Sequence, residues 1–333
     1  MFKKTLLITS ALASAALIST ASFAEIKVSG SQEWEMSQRA QDSTSTDGKN
    51  LGSLTVLGLS GGGDLGNGNS YTVSYGLENG SQDTVQANLK FGAIDIELGA
   101  NGSIGNEDVK ALLPYVNNRF ADIAGAGFAF DVDDISSGDT YIGLNVAAGS
   151  AGAISLGYNP NRANTSAQGT DNYAATNVST GSAYSASFKG SLGVDGLTVG
   201  VGIMQGNNAN PLFDDESSLS YGASYNMGKV AVGYQWTENT LGTAAKTATA
   251  EEENKQYGVS FAASDSVSIG LYQAKSKTLA ENVASKTTTS NLLSVGYKLG
   301  AAKVSYDYIT ADNFAQSATN DASVHKVKLM MAF

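Results

Sequence analysis

Lys27, Glu33, Glu35, Lys90, Asp95, Glu97, Lys303, Asp307, Lys326 and Lys328 all lie in segments where apolar residues recur at every second position. Period two puts alternate side chains on opposite faces of a strand, so these charges share the polar face. Lys189, Lys229, Lys298 and Glu78 follow the same parity. Acids and bases scattered along one face of many strands suit the lining of a watery passage, where charge tunes which ions enter. They suit equally well a solvated wall of cross-strand ion pairs, each worth little. Catalysis is a poorer fit. There is no cysteine for a thiol nucleophile, and His325 is the single histidine. A serine triad would have to use His325, whose neighbours Val324 and Lys326 show no such arrangement. No enzyme is expected.

The elements that must position these charges are strands. Tyr71, Val73, Tyr75 and Leu77 alternate with Thr72, Ser74, Gly76 and Glu78. Val85, Ala87, Leu89 and Phe91 alternate with Gln86, Asn88 and Lys90, and "LTVGVGI", "KVAVGYQW", "VSIGLYQ" and "KVSYDY" repeat the pattern. Short turns are expected at 61–69, 91–93, 148–153, 193–196, 226–229, 264–266 and 299–301. Longer connections are expected at 37–50, 79–83, 100–138, 161–181, 206–216, 238–254, 276–289 and 311–321. Short and long connections alternating along the chain describe an all-β, antiparallel up-and-down transmembrane barrel of about 16 strands. A soluble β-sandwich also alternates. It would divide a chain of this length into units with visible linkers, and no composition break appears.

The first residues, "MFKKTLLITSALASAALISTASFA", combine a basic start, an apolar run and small residues at Ser22 and Ala24. They read as a signal peptide over 1–24, leaving a barrel domain over 25–333. Of 20 Lys and Arg, loss of Lys3 and Lys4 leaves 18 against 31 Asp and Glu, a net charge of −13. That balance argues against nucleic acid as a partner. No later apolar run reaches the length of a membrane helix, and this leaves a membrane barrel open.

The connection over 100–138 is too apolar to float in water: Leu112, Leu113, Phe120, Phe128 and Phe130 call for burial. The barrel interior is one place for it. Residues 106–118 are expected to form a short helix. The segment also carries Glu107, Asp108, Asp122, Asp131, Asp133 and Asp134. Acids in the lumen facing wall lysines would set a field across the passage and favour small cations, hence an expectation of mild cation selectivity. "DVDDISSGD" (131–139) fails the EF-hand pattern at Ile135 and Ser136. No cofactor is expected, and a looser loop-bound calcium is the one alternative. "EEE" (251–253) reads as a solvated run in an external loop, with divalent-bridged lipopolysaccharide contact as the sharper reading.

"SLTVLGLSGGGDLGNGNSYTVSYGLENG", with Asp64 to Gly68 as a periplasmic turn, resembles the second and third strands of the Gram-negative trimeric porins. "AEIKVSG" resembles their first mature strand and "VHKVKLMMAF" their last. The likeness is to the sixteen-stranded general class, of alphaproteobacterial type. It implies an outer-membrane channel for passive diffusion of small hydrophilic solutes and ions, a homotrimer, and a constriction loop over 100–138. It also implies contact with outer-membrane lipids and lipopolysaccharide, and a terminal aromatic, Phe333, read by barrel-assembly machinery. The loop lacks the "PEFGG"-like tip of enteric members, and none of Arg39, Arg119 and Arg162 is expected on an inward strand position. A substrate-selective nutrient porin and a structural or adhesive surface barrel are the alternatives.

Overall fold

The computed structural model describes residues 26–42, 48–100, 104–123, 140–162, 181–207, 215–241, 250–280, 287–314 and 320–333. They form strands β1 (Lys27–Gln41), β2 (Gly48–Gly66), β3 (Asn69–Glu78), β4 (Ser81–Phe91), β5 (Ile94–Ala100) and β6 (Thr140–Ala147). There follow β7 (Ala153–Arg162), β8 (Gly181–Gly190), β9 (Leu197–Asn207), β10 (Glu216–Asn226) and β11 (Val230–Leu241). The last are β12 (Ala250–Ala262), β13 (Val267–Ala280), β14 (Thr288–Leu299), β15 (Ala302–Asp312) and β16 (Ala322–Ala332). Each strand pairs antiparallel with its sequence neighbours, and β1 pairs with β16, closing a barrel of sixteen strands.

One register parity runs around the wall, with local shifts at Asp64–Gly66, Tyr75–Leu77 and Asn159–Arg162. The row Lys303–Met330–Glu33, for example, continues the polar face from β15 through β16 to β1. Met330 therefore belongs to the inner face despite its apolar side chain. The opposite parity exposes Val28, Ile142, Val201, Ile203, Val259 and Leu271, the last at 56% of its area. A water-soluble fold would bury such a band, whereas lipid accepts it. Aromatics edge it. Towards the long connections lie Tyr158 stacked on Tyr184 (5.9 Å) and Tyr308 on His325 (4.4 Å). Towards the short turns lie exposed Phe91, Tyr225, Phe261, Tyr297 and Phe333. Two aromatic belts are the mark of two membrane–water interfaces. His325 thus sits within β16 on the outer face.

Several connections differ from the sequence expectation. Gly61–Gly63 belong to β2, and the turn between β2 and β3 is Asn67–Gly68, at φ 57° and 79°. Those angles define the twist-matched two-residue hairpin that Asn-Gly favours. The ring of Tyr71 covers Gly63, where a Cβ would stand 2.9 Å from Cε1. Residues 79–83 are not a long connection either. Asn79–Gly80 makes the same kind of turn (φ 49° and 80°), and Asn79 Oδ1 accepts from the Thr55 N–H at 3.0 Å. "EEE" lies in β12 rather than in a loop. Glu252 is buried on the inner face, while Glu253 accepts from Lys255 (2.8 Å) and from Trp236 Nε1 (3.3 Å) on the outer. Cross-strand partners there let the ladder extend beyond the point where composition turns polar.

Candidate functional site

Residues 104–123 lie along the inner face from β6 to β16. Ile104 packs with Tyr141, Ala183 and Met204, while Phe120 and Ile123 pack with Leu292, Ile309 and Val324. All of these wall residues have inward parity. Between the two clusters the segment rests on glycines. A Cβ at Gly200 would stand 2.8 Å from Val109 Cγ1 and 2.9 Å from Leu112 Cδ2. Gly233 meets Pro114 at 2.8 Å in the same way. Inward glycines on neighbouring strands therefore cut a shelf into the wall, and apolar side chains of the segment fill it.

The expected helix over 106–118 is absent. Gly105–Val109 and Phe120–Asp122 are single 3-10 turns, and the chain between them is irregular. Its polar groups turn to the wall instead. The Asn106 N–H donates to Ser185 Oγ, the Leu112 N–H to Gln235 Oε1 (3.1 Å) and the Val116 N–H to Tyr272 OH (2.8 Å). The Tyr272 hydroxyl donates onward to the Pro114 carbonyl at 2.8 Å. The Leu112 and Val116 N–H groups are donors that a helix over 106–118 would have used internally, and the Asn106 N–H is one that its first turn would have left open, so the wall satisfies the buried backbone by another route.

Three wall lysines hold the segment by its carbonyls. Lys189 Nζ donates to Asp108 O (2.9 Å), Lys303 Nζ to Val116 O (2.9 Å) and Lys326 Nζ to Asp122 O (3.3 Å). Asp307, 1% exposed, is the hub at the far end. It accepts from Asn117 Nδ2 (3.0 Å), Asn118 Nδ2 (2.6 Å) and Ser294 Oγ (2.6 Å). The donors satisfy the oxygens of this buried side chain and tie the segment to β14 and β15.

Two of the segment acids singled out in the sequence are matched by bases within the segment. Glu107 pairs with Lys110, and Asp122 with Arg119 at 2.8 Å. Asp108 faces Ser187 at 3.4 Å. Asp131, Asp133 and Asp134 lie outside the described residues, as does the candidate calcium segment 131–139. Among the described residues no three acids, histidines or cysteines gather closely enough to hold a metal ion. Across the barrel closure, Glu35 pairs with Lys326 (2.8 Å) and Glu33 with Lys328 (3.1 Å). Lys90 and Asp95 face each other in register between β4 and β5, and Glu97 accepts from the Tyr141 hydroxyl. Lys27 stands at the start of β1 opposite Ser60. Lys229 falls in the turn before β11 rather than on a strand. Phe333 exchanges backbone hydrogen bonds with Gly30 at 2.9 and 3.0 Å, its ring over the space that a Cβ on Gly30 would need.

Arg39 corrects the expectation of no inward arginine. It pairs with Val324 in the inward row, donates to Gln41, and its guanidinium lies 4.7 Å over Phe314. Its segment, "MSQRAQ", loses apolar alternation there, so strand parity was the only signal to follow. The seat residues Ser185, Gln235, Tyr272 and the shelf glycines were also missed. Inward-parity glycines recurring on neighbouring strands were the available clue.

A family model described as Gram-negative porin matches residues 10–332. No curated protein matches the sequence. Among solved structures, outer-membrane expressed OmpT of Vibrio cholerae is similar at 12% identity and TM-score 0.70, covering 95% of this chain and 100% of that one. An anion-selective porin from Comamonas acidovorans is similar at 11% identity and TM-score 0.68, covering 93% and 100%. A further structure described as porin is similar at 16% identity and TM-score 0.65, covering 93% and 100%. At these identities the likeness carries the fold.

Proposed function

The chain belongs to the Gram-negative porin family and forms an outer-membrane channel, and on that premise we propose that small hydrophilic solutes and ions cross it by passive diffusion. The observation that carries this reading is the unequal covering of the inner wall. Residues 104–123 are fixed against β6–β16, while β1–β4 present Ser31, Ser60, Thr72, Ser74, Gln86 and Asn88 in inward register. A sixteen-stranded barrel is wide enough for an aqueous passage even with one segment inside. Hydroxyls and amides along the remaining arc can replace water around a polar solute without trapping it.

Lys27, Glu33, Glu35, Lys90, Asp95, Lys303 and Lys328 are the residues we assign to the pore lining, and 100–138 to its constriction; Glu97, Asp307 and Lys326 share the inward parity but are buried, so their part is to hold the wall and the inner segment. Selectivity is mild and towards cations. The acid surplus of the chain supports it, but the pairing of Glu107 and Asp122 within their own segment leaves little field across the passage. The Comamonas acidovorans neighbour is described as anion-selective, so fold alone does not choose the sign. A homotrimer in contact with outer-membrane lipid and lipopolysaccharide is the assembly proposed; one Vibrio cholerae OmpT structure is described as a trimer form. The protein acts without catalysis in this reading, with its single histidine stacked on Tyr308 at the lipid face.

Planar-bilayer recording across a salt gradient tests these points together. Stepwise conductance with a reversal potential on the cation side is expected. Absence of steps would overturn the channel and leave a structural barrel. Steps with an anion-side potential would overturn the sign of selectivity. Block by one nutrient class would favour a substrate-selective porin.

A further inference from the structure

Charge is distributed along the barrel axis, and it changes sign between the two mouths. At the short-turn end stand Lys27, Lys90, Lys189, Lys229, Lys298 and Lys303, on β1, β4, β8, the β10–β11 turn, β14 and β15. The first two and the last two sit at most two residues from a strand end, with inward parity. Spread over strands 1 to 15, the six form a collar around the mouth rather than a patch on one wall. Among the described residues the acidic side chains at that end are Asp64 and Asp95 on the wall and Asp195 and Asp265 in turns, so the lysines are in excess. Lys27, Lys90, Lys229 and Lys298 are exposed.

The long-connection end has the opposite balance. Glu78, Glu216 and Glu252 take inward rows there, with Asp42, Asp312 and Asp321 at the rim. Among the described residues Arg39 is the base on the inward rows of that end, while Lys49, Lys255, Lys275 and Lys277 stand on outward rows. Between the mouths, the pairs Glu33–Lys328, Glu35–Lys326, Glu107–Lys110 and Arg119–Asp122 cancel locally.

We infer that the pore is a two-signed channel: a lysine collar at the short-turn mouth that gathers anions, in series with an acidic long-connection mouth that gathers cations, so that its conductance depends on the direction of the current. This rests on the channel reading above. Fixed charge of one sign raises the local concentration of the opposite ion. When the long-connection side is positive, cations enter through the acidic mouth and anions through the basic one. Both accumulate between the mouths, and conductance rises. The reverse polarity drains both, and conductance falls. Two opposed selectivities in series also leave only mild net selectivity. Screening sets the condition for seeing the effect, since the Debye length is about 10 Å at 0.1 M salt and about 3 Å at 1 M.

The test is the current–voltage curve of the reconstituted wild-type channel in equal salt on both sides. At 0.1 M the current is expected to be larger with the long-connection side positive, by a ratio on the order of twofold, and nearly symmetric at 1 M. The combined variant Lys27→Gln, Lys90→Gln, Lys229→Gln, Lys298→Gln spares the lysines that hold residues 104–123. It is expected to bring the ratio near one and to move the reversal potential further to the cation side. Acylating wild-type lysines with a membrane-impermeant reagent added from the short-turn side reaches the same end without refolding, and identifies the orientation of each inserted channel. A straight wild-type curve at 0.1 M, or an asymmetry that survives both treatments, overturns the inference while leaving the channel standing. Absence of conductance steps overturns the channel and the inference with it.

Discussion

The inner wall has two arcs that obey one alternation and serve opposite ends. On β6–β16 the inward positions include Gly200, Gly233, Leu292, Ile309 and Val324, and they are covered by residues 104–123. On β2–β4 the inward positions include Ser60, Thr72, Ser74, Gln86 and Asn88, beside Leu54 and Val56. The first arc is a packing surface that happens to face inward. The second faces water. Inward parity therefore does not by itself mean contact with the passage; what marks the covered arc is an inward glycine or apolar side chain that residues 104–123 touch, since Leu54, Val56 and Gly76 share the parity on the open arc.

Changes on the two arcs should consequently differ in size and in kind. The largest effect is expected from Phe120→Ala, since the ring is fully buried among Leu292, Ile309 and Val324. A loss of about 3–5 kcal/mol in the docking of residues 104–123 is expected. Protease sensitivity of the folded barrel and noise in single-channel current both read it; a quiet, resistant variant would mean that the segment is held from elsewhere. Next comes Asp307→Ala, which leaves Asn117, Asn118 and Ser294 without their common acceptor. The expected cost is about 2–3 kcal/mol, measured by denaturant unfolding from detergent micelles.

Gly200→Val should cost about 1–3 kcal/mol by overpacking and should alter unit conductance by lifting Val109 and Leu112. Its counterpart on the open arc, Gly76→Ala, meets Thr84 only at ordinary contact distance, 3.4 Å, and should leave conductance unchanged. Equal conductance shifts from both would erase the contrast between the arcs. Smallest in stability is Lys328→Gln. Its pair with Glu33 is partly solvated (side chains 20% and 17% exposed), so about 0.5–1 kcal/mol is expected. Its signature is instead a reversal potential moved toward cations.

Much of the barrel was legible because its signal is local. Parity in "EIKVSGSQEWEMSQ" puts Glu33 and Glu35 on one face, and closure of β1 on β16 brings them to Lys328 and Lys326. What misled was composition read without partners. Asn79–Gly80 was swept into a longer polar stretch, although Asn-Gly alone codes a two-residue turn. The helical spacing in 106–118 was genuine, yet wall acceptors such as Gln235 Oε1 and Tyr272 OH outcompete an isolated short helix, which is marginal in any case. Arg39 and the acids of "EEE" lie where strands outrun their apolar alternation.

The chain by itself determined the barrel, its strand count, its inward and outward faces and its two kinds of ends, because each follows from a period of two and from turn residues a few positions apart. Tertiary structure alone decided which part of the inner wall is covered, that Asp307 serves a segment nearly two hundred residues away, and that Glu107 and Asp122 are matched within the inner segment itself. Those outcomes depend on contacts between positions far apart in sequence, and no local pattern of side chains records which distant surface will meet which.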